Sequence, residues 1–353
     1  MTSSISIFDG HNDVLLRLYK SASSDVVSDF LLGEDAGHID LKKARAGSFV
    51  GGFFAMYSPS TGKSLSLGQQ MTGGQYALPL PPPLSMDEAR KSVSGELAIL
   101  LRIVRASKGA VTICRTAAEL TSAIERGTLA VVLHLEGAEA IDGDLNFLEL
   151  LYAAGLRSLG PVWSRTNIFG HGVPFQFPAG PDLGDGLTAA GEKLVSACNE
   201  MKILIDLSHI TEKGFWDVAR LSKAPLVATH SNAHALCPSP RNLTDRQLAA
   251  IRDTGGMVGL NFATCFLRSD GGMSADTEIE LMVRQLDYLI DKLGEDHVGF
   301  GSDFDGAVVP KKIGSAAGLP VLVDALRQSR YSEPLLKKLG STNWLDVLGR
   351  TIG

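Results

Sequence analysis

His11 and Asp13 stand two residues apart in the stretch Asp9-Gly10-His11-Asn12-Asp13. In an extended segment, residues i and i+2 face the same way, so both side chains can point at one ion. Imidazole nitrogen and carboxylate oxygen are donors that suit zinc. Further along, Glu136, His209, His230 and Asp303 each follow a short apolar run. His209 and His230 come from neighbouring runs and would converge on a second ion, and Glu136 has two oxygens with which to bridge the pair. Two metals about 3.5–4 Å apart make a site that generates hydroxide at neutral pH. Two zinc ions set against Asp13, Glu136 and one hydroxide leave about one positive charge to polarise a carbonyl oxygen. A lone His-x-Asp is weak evidence, and a lone strand-end histidine is usually a satisfied structural one. The weight lies in the coincidence. The chain holds 8 histidines, and His11, His209 and His230 all close an apolar run.

Those runs predict eight strands: Ile5 to Phe8, Phe49 to Tyr57, Leu129 to Leu135, Leu156 to Trp163, Ile203 to Leu207, Leu226 to Thr229, Met257 to Phe262 and Val298 to Phe300. Each is short and bounded by turn residues, as buried parallel strands are. Helical patterns lie between them at Phe147 to Ala154, Ala189 to Met201, Thr211 to Leu221, Thr244 to Asp253 and Glu278 to Leu293. Alternation of strand and helix argues for a parallel sheet, and eight strands argue for closure into a (β/α)8 TIM barrel. In such barrels the chemistry sits at the C-terminal ends of the strands, where His11, Asp13, Glu136, His209, His230 and Asp303 fall. Residues 1–353 read as one domain of the metal-dependent hydrolase type, with an insertion after strand 2 at about 58–110. The insertion opens with Ser58 to Ser85, rich in Gly, Ser and Pro, and continues as helix from Met86 to about Ser107. It either covers the site or is a plain surface loop.

Composition is that of an ordinary globular protein, 44% hydrophobic and 20% charged. Net charge is -6, with no basic block, so no nucleic-acid partner is expected. No run is long enough for a transmembrane helix, and MTSSISIFDG has neither a basic n-region nor an apolar h-region. A cytoplasmic location is therefore expected, with no membrane partner. Cys114, Cys198, Cys237 and Cys265 are scattered and read as buried free thiols.

At these same residues the chain resembles the renal or membrane dipeptidase family, peptidase family M19. The matching stretches are DGHND at Asp9 to Asp13, HLEGAEAI at His134 to Ile141, IDLSH at Ile205 to His209, ATHSNAHALCPSPRNLTD at Ala228 to Asp245 and GSDFDG at Gly301 to Gly306. Weaker similarity runs through GGMVGLNF at Gly255 to Phe262 and NWLDVL at Asn343 to Leu348. The resemblance implies that His11 and Asp13 bind one zinc, that His209 and His230 bind the other, and that Glu136 bridges them. It implies that Arg241 takes the substrate's free carboxylate and that Asp303 is the acid/base residue. Asp305, two residues on, reads as structural. Members of the mammalian type carry a substrate-contacting histidine at the end of the fourth strand. Here Trp163 takes its place, which alters the oxyanion contact or the substrate preference. His134, on one strand face with Glu136, and His171 are candidates to compensate.

The expected function is zinc-dependent hydrolysis of the peptide bond of dipeptides, by hydroxide held between two zinc ions per chain. Catalysis is assigned to Asp303 and Glu136, and substrate binding to Arg241, Trp163 and His134. The partner is a dipeptide, and homodimerisation stays open. Two rival readings remain: another amide or lactone hydrolase on the same metal frame, and a catalytically silent barrel acting as a scaffold. Metal analysis separates the scaffold from the enzymes.

Overall fold

The computed structural model describes residues 4–60 and 70–353. Its centre is a parallel sheet of eight principal strands: β1 Ile7–Asn12, β2 Phe49–Tyr57, β3 Leu129–Glu136, β4 Leu156–Gly160, β5 Leu204–Ile205, β6 Val227–Ala228, β7 Met257–Asn261 and β8 Val298–Gly301. They pair in the order β5-β4-β3-β2-β1-β8-β7-β6. A parallel bridge from Asp206 to Val227 joins the two ends, and the Leu207 amide donates to the Val227 carbonyl at 2.8 Å. The sheet is thus a (β/α)8 barrel, and helices such as Ala189–Met201, Glu212–Leu221 and Asp245–Asp253 alternate with its strands. The strands are buried on both faces, which is why β3 can read Leu-Ala-Val-Val-Leu without alternation. β4 and β5 end sooner than their apolar runs. Trp163 and Leu207 lie in the loops beyond them.

Side chains fill the lower barrel as a packed plug. Phe8, Phe53, Val132, Leu204, Val227 and Met257 form one apolar cluster with Trp344. Trp344 comes from the C-terminal helix Asn343–Thr351, is wholly buried, and donates its indole N–H to the Phe300 carbonyl at 2.9 Å. A Cβ on Gly10, Gly259 or Gly299 would stand 2.5, 3.0 or 2.7 Å from that indole. Three strands therefore carry glycine where the ring needs the room. Above the plug the same interior turns polar, and there the strand-end groups meet.

The segment after β2 is fixed to that upper face. Tyr76–Ala77 pairs antiparallel with Gln176–Phe177 from the loop after β4. The Gly74 amide donates to Asp270, and the Met273 amide to Met71, tying the segment to the loop after β7. Met71, Phe175, Ala263, Cys265 and Phe266 form a separate apolar cluster there, with Trp163 packed against it. Part of the stretch from Ser58 to Ser85, residues 61–69, lies outside the described residues. The helix Met86–Ala106 then starts at a capping box between Ser85 and Glu88.

Removing the plug should be costly. Trp344→Ala is expected to lower unfolding free energy by about 3–5 kcal/mol, read as a shift in the midpoint of urea denaturation.

Candidate active site

β1 carries an extra residue. Asp9 pairs with Gly52 but Asn12 with Phe54, so three steps on β1 match two on β2. Such a bulge re-aims the side chains beyond it. It brings His11 into the interior already occupied by Phe8. Asp13 lies past the strand, at the N-cap of the helix Val14–Lys20 with φ -108° and ψ 26°. The two side chains therefore meet through a bulge and a turn. Simple alternation along an extended strand, the sequence-level reason for pairing them, is not the cause. Their atoms lie 3.3 Å apart, from His11 Nε2 to Asp13 Oδ2.

Glu136 closes β3, His209 follows β5 and His230 follows β6. One oxygen of Glu136 lies 3.6 Å from His11 Nε2, 3.1 Å from His209 Nε2 and 3.6 Å from His230 Nε2. The last two nitrogens are 3.2 Å apart. All five residues are at most 6% exposed. His11, Glu136 and His230 form one group whose ligand atoms lie within 4.8 Å of one another, and His11, Asp13 and Asp303 form a second.

The far sides of the rings decide what these nitrogens offer. Thr229 Oγ1 donates to Asp206 at 2.6 Å, so it can only accept from His230 Nδ1, 2.9 Å away. His230 is then protonated at Nδ1 and turns a lone pair at Nε2 toward Glu136. Ser164 Oγ stands 2.9 Å from His209 Nδ1 and can do the same there. Burial pushes His209 and His230 well below the usual histidine range, and Arg241 adds to the effect. Burial also opposes charge on His11, but the Glu136 and Asp13 carboxylates outweigh it and push that ring up to about 10. Glu136 itself is driven well above the carboxylate range by burial, with His11 opposing. Lone pairs and carboxylates crowded into a dry volume repel one another unless positive charge lies among them. Neither ring nitrogen of His11 has a hydrogen-bond partner among the described residues. The donor set, imidazole and carboxylate only, fits divalent cations of the zinc type.

Around this cluster stand the remaining predicted residues. Arg241 is 3% exposed. Its Nη2 donates to the His230 carbonyl at 3.1 Å and its Nη1 to Ser231 Oγ at 3.4 Å, while Nε has no partner among the described residues. Its guanidinium lies 5.4 Å from the centre of the Phe266 ring. Asp303 sits in the left-handed region at φ 57° and accepts from Asn261 Nδ2 at 3.0 Å. Burial pushes its carboxyl up, although His11 opposes this. Asp305 is engaged elsewhere: it accepts from the His38 amide at 2.7 Å and pairs with Arg17 at 3.2 Å. Trp163 packs beside His209 at 5.7 Å and against Tyr57 at 5.2 Å, between ring centroids. His134 is fully buried behind His11, edge to face at 5.5 Å, with Nδ1 on Ser158 Oγ at 2.9 Å. Burial lowers it to about 3. His171 lies in the loop after β4, 3.3 Å from the Gly186 carbonyl.

Sequence reasoning passed over the supports. Asp206 holds the Thr229 amide and hydroxyl and the Ser208 amide. Asn261 holds Asp303, and Asp9 accepts from the Ser302 amide and hydroxyl. Asp206 and Asp9 stand inside quoted motifs, a carboxylate in an otherwise apolar run, and that was the available signal.

The family model for membrane dipeptidases, peptidase family M19, matches residues 1–352. The structure is similar to that of a metallopeptidase of family M19 named dipeptidase AC, with 53% identity and a TM-score of 0.97 over 99% of this chain and 100% of that one. It is equally similar, by the same four measures, to a metallopeptidase from Rhodobacter sphaeroides bound to a phosphinate mimic of the dipeptide L-Ala-D-Ala. An uncharacterised protein of the pqqA 5′ region of Klebsiella pneumoniae is 53% identical over 253 residues, which are 72% of this chain and 93% of that protein.

The Asp206–Thr229–His230 chain is open to test. Thr229→Val should weaken divalent-metal binding about 10–100-fold, as loss of such outer partners does, while Thr229→Ser keeps it. Chelator competition on the purified protein measures both.

Proposed function

The chain belongs to the membrane dipeptidase family, peptidase family M19, and from that premise we propose zinc-dependent hydrolysis of the peptide bond of dipeptides. The observation that carries the reading is the meeting of three imidazole nitrogens on one Glu136 oxygen, with Arg241 buried beside them and short of partners. His11 and Asp13 would hold one ion, His209 and His230 another, and Glu136 both. Two ions bound there supply a Lewis acid and a water acidic enough to attack at neutral pH.

The protein's own groups account for the remaining steps. Arg241 is a fork of donors set in a dry pocket, matched to a planar carboxylate. Two of its nitrogens rest on the backbone and hydroxyl of the loop that carries His230, so a substrate carboxylate placed on Arg241 is also placed against the cluster. Taking the free C-terminus in this way limits the residues beyond the scissile bond, and very short peptides follow. Asp303, held by Asn261, is the proton carrier. Its raised carboxyl accepts a proton from the attacking water and returns it to the leaving amine. Trp163 and Tyr57 form an aromatic wall beside His209 and keep bulk water from the reacting carbonyl. Trp163 has one indole donor and cannot ionise, so it holds a carbonyl by shape and a single hydrogen bond. His134 acts from behind as a packing partner of His11. A peptide with a D-residue at its C-terminus is the first substrate to try, because the Rhodobacter sphaeroides relative holds an L-Ala-D-Ala mimic. Four free, buried cysteines accord with the reducing, cytoplasmic setting in which we place the protein. No helix among the described residues is long and apolar enough to cross a membrane.

Two variants test the assignment on zinc-loaded protein. Asp303→Asn is expected to lower kcat about 10²–10⁴-fold with bound zinc unchanged. Arg241→Met is expected to lower kcat/KM for a dipeptide at least about 100-fold and to spare a substrate amidated at its C-terminus. A panel of L,L- and L,D-dipeptides against N-acyl amino acids and lactones separates the dipeptidase reading from its nearest rival. Zinc-loaded wild-type protein that leaves every dipeptide intact would refute it.

A further inference from the structure

Glu139 lies in the quoted stretch HLEGAEAI, three residues after Glu136, and the proposed chemistry gives it no part. It is buried and pairs with Arg165, which is 0% exposed, at 3.1 Å. Arg165 Nη1 also donates to the Ser58 carbonyl at 3.2 Å, and Nη2 to Ser60 Oγ at 2.8 Å and to the Tyr57 hydroxyl at 3.5 Å. Its Nε has no partner among the described residues. One guanidinium thus ties together the loop after β3, the loop after β4 and the first residues beyond β2. All three loops leave the C-terminal face of the barrel, where the reaction centre lies.

A buried ion pair is a poor way to gain stability, since taking both charges out of water cancels most of their attraction. Its value here is geometric. The Arg165 fork lies 5.2 Å from the Trp163 ring centre and 6.0 Å from that of Tyr57. Its backbone amide donates to the Trp163 carbonyl at 2.7 Å, closing a tight turn. Gly172 packs on that turn so closely that a Cβ would stand 1.7 Å from the same carbonyl. Between Trp163 and Arg165 stands Ser164, the partner of His209 Nδ1. The cationic fork, the aromatic wall and the first residues beyond β2 are therefore tied to one another.

We propose that Arg165, fixed by Glu139, is a positioning residue that sets Trp163 and Tyr57 against the bound substrate and so governs substrate binding and selectivity. This rests on the dipeptidase reading, because the wall matters only if a substrate lies against it. Lysine cannot replace the fork: a single ammonium has no planar set of donors for acceptors on two other loops.

The test uses full-length, metal-loaded protein with three variants: Arg165→Lys, the uncharged pair Glu139→Gln with Arg165→Gln, and Ser60→Ala. The last removes one arm at an exposed position and serves where the buried variants do not fold. Four quantities are read: KM and kcat for a dipeptide, metal per chain, and acrylamide quenching of Trp163, isolated by subtracting a Trp163→Phe protein. The expected result is a KM raised about tenfold for the buried variants and less for Ser60→Ala. Near-normal kcat, unchanged metal content and freer quenching of Trp163 should accompany it. A purely structural pair would lower the denaturation midpoint and leave KM and quenching as in wild type, which overturns the proposal. A fall in kcat together with loss of metal at constant KM also overturns it, since the pair would then serve His209. If wild-type protein cleaves no dipeptide, the functional reading fails on its own, and the quenching result still decides whether Arg165 holds Trp163.

Discussion

Everything in the upper barrel answers to one electrostatic constraint. Three imidazole nitrogens and two carboxylates are held in a volume a few ångströms across, nearly free of water. Groups of this kind, left to themselves, repel or take up protons. The opposed shifts at the site express that demand: His11 up to about 10, His209 and His230 down, and Glu136 up. Such a cluster calls for positive charge, and the divalent metal ions of the proposed reading would supply it with the directionality these donors offer. The nitrogens of His11, unpartnered among the described residues, and the crowding of Nε2 atoms on Glu136 are the structural marks of that requirement.

Holding such a cluster requires a frame that does not relax. The lower half of the barrel is a solid plug around Trp344, with glycines admitting its indole. Two of the three histidines are fixed from behind by a hydroxyl, Thr229 for His230 and Ser164 for His209, while His134 packs edge to face behind His11. Asp206 in turn holds Thr229. Asp303 sits at a positive φ in a loop that Asp305 and His38 pin by a reciprocal pair of hydrogen bonds. Strain in that loop is offset by neighbours and leaves the acid near the cluster.

Much of this could be read from the sequence, and for an identifiable reason. Strand-end residues of unusual chemistry stand out against apolar runs, so the barrel and the residues that meet around Glu136 were visible. Local geometry was not. The bulge in β1 cannot be inferred from Ile-Phe-Asp-Gly-His-Asn, because it depends on pairing with Gly52 and Phe54 of another strand. The link between His11 and Asp13 was therefore expected on a geometric ground that the fold does not use. Contacts made across many residues were equally hidden: Arg165 to Ser58, Asp9 to Ser302, and Tyr76–Ala77 to Gln176–Phe177. Asp206 and Glu139 lay inside the motifs, yet their distant partners Thr229 and Arg165 come from other loops, and only the fold reveals these contacts.

Anomalous diffraction at the zinc absorption edge, from crystals of zinc-loaded protein, tests the central claim most directly. Strong scattering is expected at two positions, one touching His11 and Asp13, one touching His209 and His230, and both touching Glu136. Scattering absent from these five side chains, in protein shown by solution analysis to carry zinc, would contradict it.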